Sequence, residues 1–233
     1  MSFFILLYDS LLYNPLLNML VALYEFIPGQ DFGVAVILLT LLVRLVLMPL
    51  FSLSIRTQFK MAELQPKLKE LQAKLKENKE ELTKATLGLY RKEGVNPFSG
   101  ILVLLLQLPI FLALFHLFRS GLDGELALRL YPFIPVPAGI DTSFFGFFDL
   151  ASSSLAVAVV AAVAQFFQAK TAIPPQQKSA DAASQIQQRM LYIFPIVTFA
   201  ILTSLPSAIG LYWITTSVFS IWQQRMMVGK KKP

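Results

Sequence analysis

The chain of 233 residues lacks cysteine, has a single histidine, His116, and is only 15% charged. The absence of cysteine excludes disulfide bonds, thiolate metal ligands, a cysteine nucleophile and lipid modification of a cysteine. One histidine without an H-E-x-x-H pattern argues against a metal site. No nucleotide-binding or nucleic-acid-binding motif is visible either. We therefore expect no metal, no cofactor and no enzymatic activity.

What the chain does contain is apolar sequence: 55% of its residues are hydrophobic and its mean hydropathy is +0.61. Soluble domains carry about 25% charged residues, well above this chain. Long apolar blocks in such a composition predict an all-α integral membrane protein, because a helix satisfies its own backbone hydrogen bonds in lipid. We expect five transmembrane helices, over residues 32–55, 98–118, 146–168, 190–205 and 207–227.

The N-terminal region, residues 1–28, is apolar but is interrupted by polar residues such as Asp9 and Glu25. It has neither a basic segment nor a small-residue cleavage site, which argues against a signal peptide. We expect an amphipathic helix that lies in the membrane interface, with Tyr8 and Tyr13 near headgroup level. A short first transmembrane span is the alternative.

Basic residues are distributed very unevenly between the two sides of the predicted helices. Of the 20 lysines and arginines, 10 lie between the first and second spans, 3 between the third and fourth, and 4 after the fifth. Only Arg119 and Arg129 fall on the other side, and Arg44 lies within a span. The positive-inside rule places the basic side in the cytoplasm, with the N-terminus outside and the C-terminus inside.

The only long polar segment, residues 59–95, separates the first two spans. Its leucines recur every three or four residues on either side of the turn sequence KENKEE, which predicts a helical hairpin. This cytoplasmic hairpin is either simply solvated or docks on a translating ribosome or an anionic lipid surface. Gly94 is the expected cap of its second helix and Pro97 its stop. The two predicted apolar stripes are Leu64, Leu68, Leu71 and Leu75, and Leu82, Ala85, Leu87 and Leu89.

These expectations divide the chain into four parts. An interfacial helix occupies residues 1–28, the first transmembrane helix 29–58, and the hairpin 59–95. Residues 96–233 hold transmembrane helices 2–5 and a short basic tail.

Arg44 stands in the apolar stretch VILLTLLVRLVLMPLF, roughly 17 Å from either end of the block at a rise of 1.5 Å per residue. An arginine does not easily reach the membrane surface from that depth. The predicted spans contain no carboxylate except Asp149, at the outer edge of the third, so we expect no ion pair. We predict instead a water-filled cavity, with Thr40 one turn away on the same face. Complete capping by carbonyls and hydroxyls is the alternative.

Other polar residues inside the spans are candidates for the same cavity, because polar groups are costly in lipid. Serine and threonine also serve as small packing residues between membrane helices, which is the alternative for several of them. His116 has no titratable partner visible in the sequence, and we assign it no role. The candidates are Gln107 on the second span, Gln165 on the third, and Tyr212, Trp213, Thr216, Ser220 and Gln223 or Gln224 on the fifth.

The chain resembles the YidC/Oxa/Alb family of membrane protein insertases in five stretches that keep the family's order and spacing. The resemblance is weaker over the N-terminal helix and over the loops 119–147 and 169–189. The five stretches are LLTLLVRLVLMPL at 38–50, KMAELQPKLKELQAKLK at 60–76, LYRKEGVNPFSG at 89–100, LLLQLPIFLALF at 104–115 and GLYWITTSVFSIWQQ at 210–224.

The resemblance implies five transmembrane helices around a hydrophilic groove that is closed outside and open to the cytoplasm and lipid. Arg44 matches the family's groove arginine. Thr40, Phe111 and Trp213 match positions expected to face the groove or to contact substrate, and Gln107 lies in the family's Q-x-P-I-F pattern. The implied activity is the insertion and chaperoning of nascent membrane proteins, without covalent chemistry.

The expected partners are nascent membrane proteins, the lipid bilayer, the translating ribosome through the hairpin and basic tail, and the Sec translocon. No large periplasmic domain and no transit peptide are visible, so we expect a short bacterial form in the plasma membrane. A small anion transporter or channel is an alternative, since an intramembrane arginine and glutamines bind anions, although no inverted repeat is seen. A scaffold acting through the hairpin is a third hypothesis.

Overall fold

The computed structural model describes residues 2–96, 99–120, 126–172 and 182–229. The predicted helix stop at Pro97 and the tail lysines lie outside these ranges, as do residues 173–181 of the loop before the fourth span. The described elements are α1 Ser2–Tyr8, a π-helical turn Asp9–Tyr13, α2 Asn14–Phe26, α3 Phe32–Val46, α4 Met48–Lys74, α5 Lys79–Lys92, α6 Ser99–Ser120, α7 Leu126–Arg129, β1 Ser143–Phe144, β2 Phe148–Asp149, α8 Leu155–Ala172, α9 Ala182–Leu202 and α10 Ser207–Gly229.

The N-terminal helices form one continuous run from Ser2 to Phe26. Pro15 begins α2 and cannot donate a hydrogen bond back into the preceding turn, which accounts for the wider π-helical turn there. One face of α2, including Leu17 and Val21, is completely buried, while Phe26 and, on α1, Ile5 and Leu6 are exposed. The stretch Ile5–Phe26 is also long and apolar enough to cross a membrane. Its interfacial position therefore stays a prediction.

The first predicted span is not one straight helix. α3 and α4 meet at Leu47 with a bend of 64°. Pro49 explains the break, because it has no N–H for the Leu45 carbonyl and its ring crowds that oxygen. α4 then continues unbroken to Lys74, so the structure shows no boundary between the predicted segments 29–58 and 59–95.

The C-terminal half of α4 runs antiparallel to α5, and the two helices share a small apolar cluster. Leu64, Leu68 and Val95 are buried in it, with Leu89 and Tyr90 packed alongside. Lys67 Nζ lies 2.7 Å from Glu93 Oε1 across the pair. The hydrogen bond from Lys67 holds the pKa of the Glu93 carboxyl below its ordinary value, and the charge of the ammonium adds to that effect.

The end of α5 follows the predicted capping geometry. Gly94 has φ +63°, and the Val95 N–H donates to the Tyr90 carbonyl at 2.9 Å, so the predicted glycine cap is confirmed. The second apolar stripe predicted for the hairpin is wrong at Leu87. This side chain is 46% exposed, because Tyr90, and not Leu87, packs against the apolar cluster.

The third predicted span begins too early. Residues 146–154 precede α8 and include β2, which pairs with β1 in register Ser143–Asp149 and Phe144–Phe148. The turn needs positive φ at Phe145 and Gly146, +50° and +69°. The aromatic sequence SFFGFF therefore forms a strand pair rather than the start of a membrane helix, and the strictly all-α prediction is wrong there.

The other predicted spans match helices more closely. α6 and α10 coincide with the predicted 98–118 and 207–227 to within two residues, whereas α9 starts eight residues before the predicted 190–205. Among the described helices, Ile5–Phe26 and α8 are long and apolar enough to cross a membrane, and the bent pair α3–α4 is a third candidate. The count of five spans stays a prediction.

α10 is the central helix of the bundle and packs against α8, α3 and α4. Gly210 allows its close approach to α8, since a Cβ there would lie 2.5 Å from Val157 Cγ1. Ile209 and Leu117 are fully buried in the same core. This packing brings the polar face of α10 opposite the bend between α3 and α4.

Candidate functional site

A cavity of about 720 Å³ lies between α3, α4, α6, α8, α9 and α10. It brings together residues that are far apart in the sequence, from Arg44 to Gln224. Besides Gln223 or Gln224, nine site residues were predicted from the sequence, and eight of them line it, as do both glutamines. The eight are Arg44, Gln107, Phe111, Gln165, Tyr212, Trp213, Thr216 and Ser220.

Thr40, the ninth predicted residue, lies elsewhere. Its side chain is buried, and its hydroxyl donates to the Val36 carbonyl at 2.7 Å within α3. Thr40 and Arg44 are one turn apart as predicted, but only Arg44 lines the cavity. The helix backbone satisfies the Thr40 hydroxyl, so this residue needs no water.

The Arg44 side chain is 6% exposed and stacks on an aromatic ring across the bend. Its Cζ lies 4.3 Å from the centre of the Phe51 ring, on the first turns of α4. A desolvated cation–π contact is worth about 2 kcal/mol. Burial of a charge costs several kcal/mol, so the ring offsets only part of it.

No carboxylate pairs with Arg44 in the part of the chain that the structure describes. The ion pairs found there join Lys67 to Glu93, Lys84 to Glu80 and Arg129 to Asp9. Asp149, the one acidic candidate from the sequence, lies in β2 and accepts hydrogen bonds from Ala151 and Thr142. The remaining compensation for the Arg44 charge has to come from the cavity itself.

Two cavity-lining polar atoms have no protein partner. Gln165 Oε1 and Thr216 Oγ1 are buried without a hydrogen bond among the described residues. An unsatisfied buried polar group costs about 1–3 kcal/mol, so both atoms favour water or a polar ligand in the cavity. At about 30 Å³ per water, the cavity has room for roughly twenty.

One side of the cavity is aromatic. The rings of Phe111 and Trp213 meet edge to face with centroids 5.6 Å apart, and Phe115 stacks on Phe111. Beside them the Gln107 side-chain amide donates to the Tyr212 hydroxyl, linking α6 to α10. The wall therefore offers apolar surface and hydrogen-bonding groups within one patch.

Two neighbouring glutamines at the end of α10 fasten the cavity wall. Gln223 Nε2 donates to the Met48 carbonyl and to Ser52 Oγ, both at 3.0 Å, just beyond the bend. Gln224 Oε1 lies 2.5 Å from Thr171 Oγ1 on α8. Gln223 is 1% exposed, so its hydrogen bonds are well shielded from solvent. α10 is thereby tied to both α4 and α8.

α4 contributes a face of this site that was not predicted from the sequence. Phe51, Ser54, Ile55 and Gln58 line the cavity at the i, i+3, i+4, i+7 spacing of one helix face. The sequence contains the same spacing, but the first span was predicted to end at residue 55. Residues beyond it were therefore not assigned to the cavity. Gln168 on α8 is also a lining residue.

His116 has a partner that the sequence did not reveal. Its Nδ1 lies 2.9 Å from the Tyr8 hydroxyl, so it connects α6 to the N-terminal helix. It is not a lining residue of the cavity.

The geometry defines a class of protein: a helical membrane protein whose long helices surround a cavity lined by one arginine, several carboxamides and an aromatic wall. α8 and α9 add broad exposed apolar faces, such as those of Val160 and Ile196, which suit lipid. The comparisons with known proteins narrow this class to a family.

The model of the family described as 60Kd inner membrane protein matches residues 22–232. The chain belongs to this family, and the resemblance to the YidC/Oxa/Alb insertases is confirmed. The chain is 33% identical over 213 residues to the membrane protein insertase YidC of Chloroherpeton thalassium, covering 88% of this chain and 35% of that protein. It is 32% identical over 203 residues to the YidC of Fusobacterium nucleatum, covering 86% and 87%.

A solved structure shows the same fold. The crystal structure of an active YidC insertase with its first transmembrane domain resolved aligns with a TM-score of 0.61 and 28% identity. The alignment covers 95% of this chain and 47% of that one. The chain thus spans about a third of the Chloroherpeton relative and about half of the solved structure.

Proposed function

We propose that this protein is a membrane protein insertase and membrane chaperone that works through the cavity around Arg44, without covalent chemistry. The observation that carries the proposal is the lining of that cavity. A buried arginine has no carboxylate partner among the described residues, and neighbouring polar atoms have no protein hydrogen bonds. Such a site suits a polar polypeptide segment that needs a passage through lipid.

In the proposed mechanism the polar outer tail of a nascent span enters the cavity from the cytoplasm. Water and the carboxamides of Gln107 and Gln165 replace its hydration. Its apolar segment meanwhile moves along exposed apolar helix faces into lipid. The cavity shortens the distance that polar groups have to cross without water, which lowers the barrier to translocation.

Arg44 contributes electrostatic attraction to acidic residues of the tail. At an effective dielectric constant of 20, a carboxylate 4 Å from the guanidinium is stabilised by about 4 kcal/mol before desolvation costs. This is comparable to the apparent cost of about 3 kcal/mol for one aspartate at the centre of a membrane span. The attraction is therefore large enough to matter for one acidic group.

The test is insertion of a small phage-coat-like protein into proteoliposomes. We expect Arg44→Ala to slow insertion of a substrate with an acidic tail by roughly tenfold, the equivalent of about 1.4 kcal/mol. A substrate with a neutral tail should be slowed less. Arg119→Ala, which removes an exposed arginine at the end of α6 that does not line the cavity, is the matched control. Unchanged insertion of the acidic-tailed substrate by Arg44→Ala would count against the role.

The membrane arrangement belongs to the same proposal. Five helices span the bilayer, the N-terminus lies outside, and the α4–α5 hairpin lies in the cytoplasm. The distribution of lysines and arginines supports this orientation. The hairpin and tail then face a translating ribosome, and the lipid-exposed helices face the bilayer and, in assisted insertion, the Sec translocon.

An anion transporter or channel is not favoured, since the relatives carry the name of insertases. The two activities are separated by assaying the purified protein for anion flux beside insertion. Insertion without flux supports the proposal, and flux without insertion overturns it.

A further inference from the structure

The loop that connects α7 to α8 has an unusual composition. Residues 130–154, here called the outer loop, contain two charged residues, Asp141 and Asp149, and five phenylalanines. Outside the strand pair the loop has no regular backbone structure. Its apolar side chains are not hidden: Phe133 is 81% exposed and Phe147 86%.

Hydrogen bonds fix this loop along the N-terminal helix. Asn18 of α2 accepts from the Tyr131 N–H at 2.6 Å and donates to the Arg129 carbonyl at 3.0 Å. Further along, the Asp141 N–H donates to the Tyr24 hydroxyl at 3.0 Å. The loop thus follows α2 from its middle toward its end.

A third hydrogen-bonded contact to the outer loop lies beyond the end of α2. Asp31 caps α3 by accepting from the Val34 N–H at 2.8 Å, and its second oxygen accepts from the Phe145 N–H at 2.6 Å. A Cβ on Gly33 would clash with the Phe144 ring, so the strand pair lies tightly against the start of α3. The outer loop and α2 are therefore held together, so that they lie at a common depth relative to the membrane.

Two locations of the outer loop and α2 relative to the membrane are unfavourable. In the hydrocarbon core, an irregular loop with exposed side chains would leave backbone groups facing lipid without partners. In bulk water, the exposed portions of Phe133, Phe145, Phe147 and Phe148 would present on the order of 500 Å² of aromatic surface. That is near the largest apolar patches of soluble monomers, which are commonly functional.

The headgroup region satisfies both requirements. Aromatic side chains are enriched there because their rings meet acyl chains while neighbouring polar groups stay hydrated. The Asp141 carboxylate, which accepts from the Ser143 N–H at 2.9 Å, remains in contact with water at that level. Phe26, at the end of α2, is 81% exposed as well.

We propose that the outer loop is a lipid-binding surface that lies, together with α2, in the headgroup–acyl boundary of the leaflet opposite the basic side. The inference rests on the orientation under the proposed function. Its occupant is phospholipid, and not a protein partner. Through Asn18, Tyr24 and Asp31 this surface sets the depth at which α3, and with it Arg44, sits in the bilayer.

The test uses the natural lack of cysteine, which allows single labels without background. Nitroxides are attached at Phe133→Cys and Phe147→Cys in vesicles of phosphatidylethanolamine and phosphatidylglycerol. Two controls are Val160→Cys on the exposed apolar face of α8 and Gln72→Cys on the exposed hairpin. Power saturation compares collisions with oxygen, which partitions into lipid, and with a water-soluble nickel chelate.

We expect both loop labels to favour oxygen over nickel as the Val160 label does. Nickel accessibility equal to that of the Gln72 label, at either loop position, overturns the inference and leaves a protein partner as the occupant. The measurement needs no substrate. An insertion assay on the same labelled samples separates the lipid-binding surface from the proposed insertase function. Failed insertion with lipid-like accessibility counts against the proposed function alone.

Discussion

Replacing Gln223 by methionine tests whether α10 holds the bend between α3 and α4. The side chain is 1% exposed and donates to the Met48 carbonyl and Ser52 Oγ, both at 3.0 Å. Methionine has nearly the same length and fills the same space, but it donates no hydrogen bond. The perturbation therefore removes the two hydrogen bonds while largely keeping the packing.

A buried hydrogen bond contributes about 0.5–1.5 kcal/mol, so two of them amount to about 1–3 kcal/mol. We expect Gln223→Met to lower the free energy of unfolding by that amount, measured by denaturant titration in detergent micelles. Ser217→Ala is the control, because Ser217 is fully buried on the same helix and its hydroxyl has no partner among the described residues. A Gln223→Met protein as stable as that control would refute the reasoning.

The same substitution should change the geometry of the arm that follows the bend. α4 has 27 residues, about 40 Å at 1.5 Å per residue, so a change of roughly 10° moves its far end by about 7 Å. Spin labels at Gln72 and Val218, both exposed, report that displacement as a distance change or a broadened distribution. An identical distribution in the variant would show that other contacts fix the bend.

Two further predictions concern the outer side and the hairpin. Gly33→Ala should destabilise the protein by about 1–3 kcal/mol, since its Cβ would lie 2.1 Å from Phe144 Cδ2. Gly88→Ala in α5, where no atom lies within 4 Å of the added Cβ, should stabilise the protein by up to about 1 kcal/mol. Thermal unfolding of both variants measures whether stability falls in the first and rises in the second. The hydrogen bond from the Ala151 N–H lowers the pKa of Asp149, so the carboxylate's contribution is present at neutral pH and is lost as the pH falls through that lowered pKa. The melting temperature of the wild type should exceed that of Asp149→Asn at pH 6, and the difference should shrink as the pH falls below the ordinary range of an aspartate. A difference that does not change with pH would contradict the assignment.

Much of the cavity could be predicted from the sequence because its residues obey helical spacing. Trp213, Thr216 and Ser220 share one face of a single uninterrupted helix, so periodicity alone places them together. Arg44 was visible as a charge without a neighbouring carboxylate. In each case the local pattern and the final packing agree.

The rest depended on geometry that no local pattern encodes. The first span was predicted as one continuous segment through Pro49, and the 64° bend that brings Phe51 over Arg44 depends on how α4 packs against α10. Thr40 was assigned to the cavity because it shares a face with Arg44, yet its hydroxyl is satisfied within its own helix. Residues 146–154 were interpreted as the start of a membrane helix, since hydropathy does not distinguish a lipid-facing helix from an aromatic strand pair.

Under the proposed function, the cavity receives the polar segment of a nascent membrane protein. The most direct measurement is site-specific photocrosslinking from Phe111 and from Trp213 to a ribosome-stalled membrane protein with an acidic tail. Val160, on the outer face of α8, is the control position. We expect adducts from both cavity positions, formed through the polar tail, and few from Val160. Absence of adducts at Phe111 and Trp213, or equal yield at all three positions, would contradict the claim.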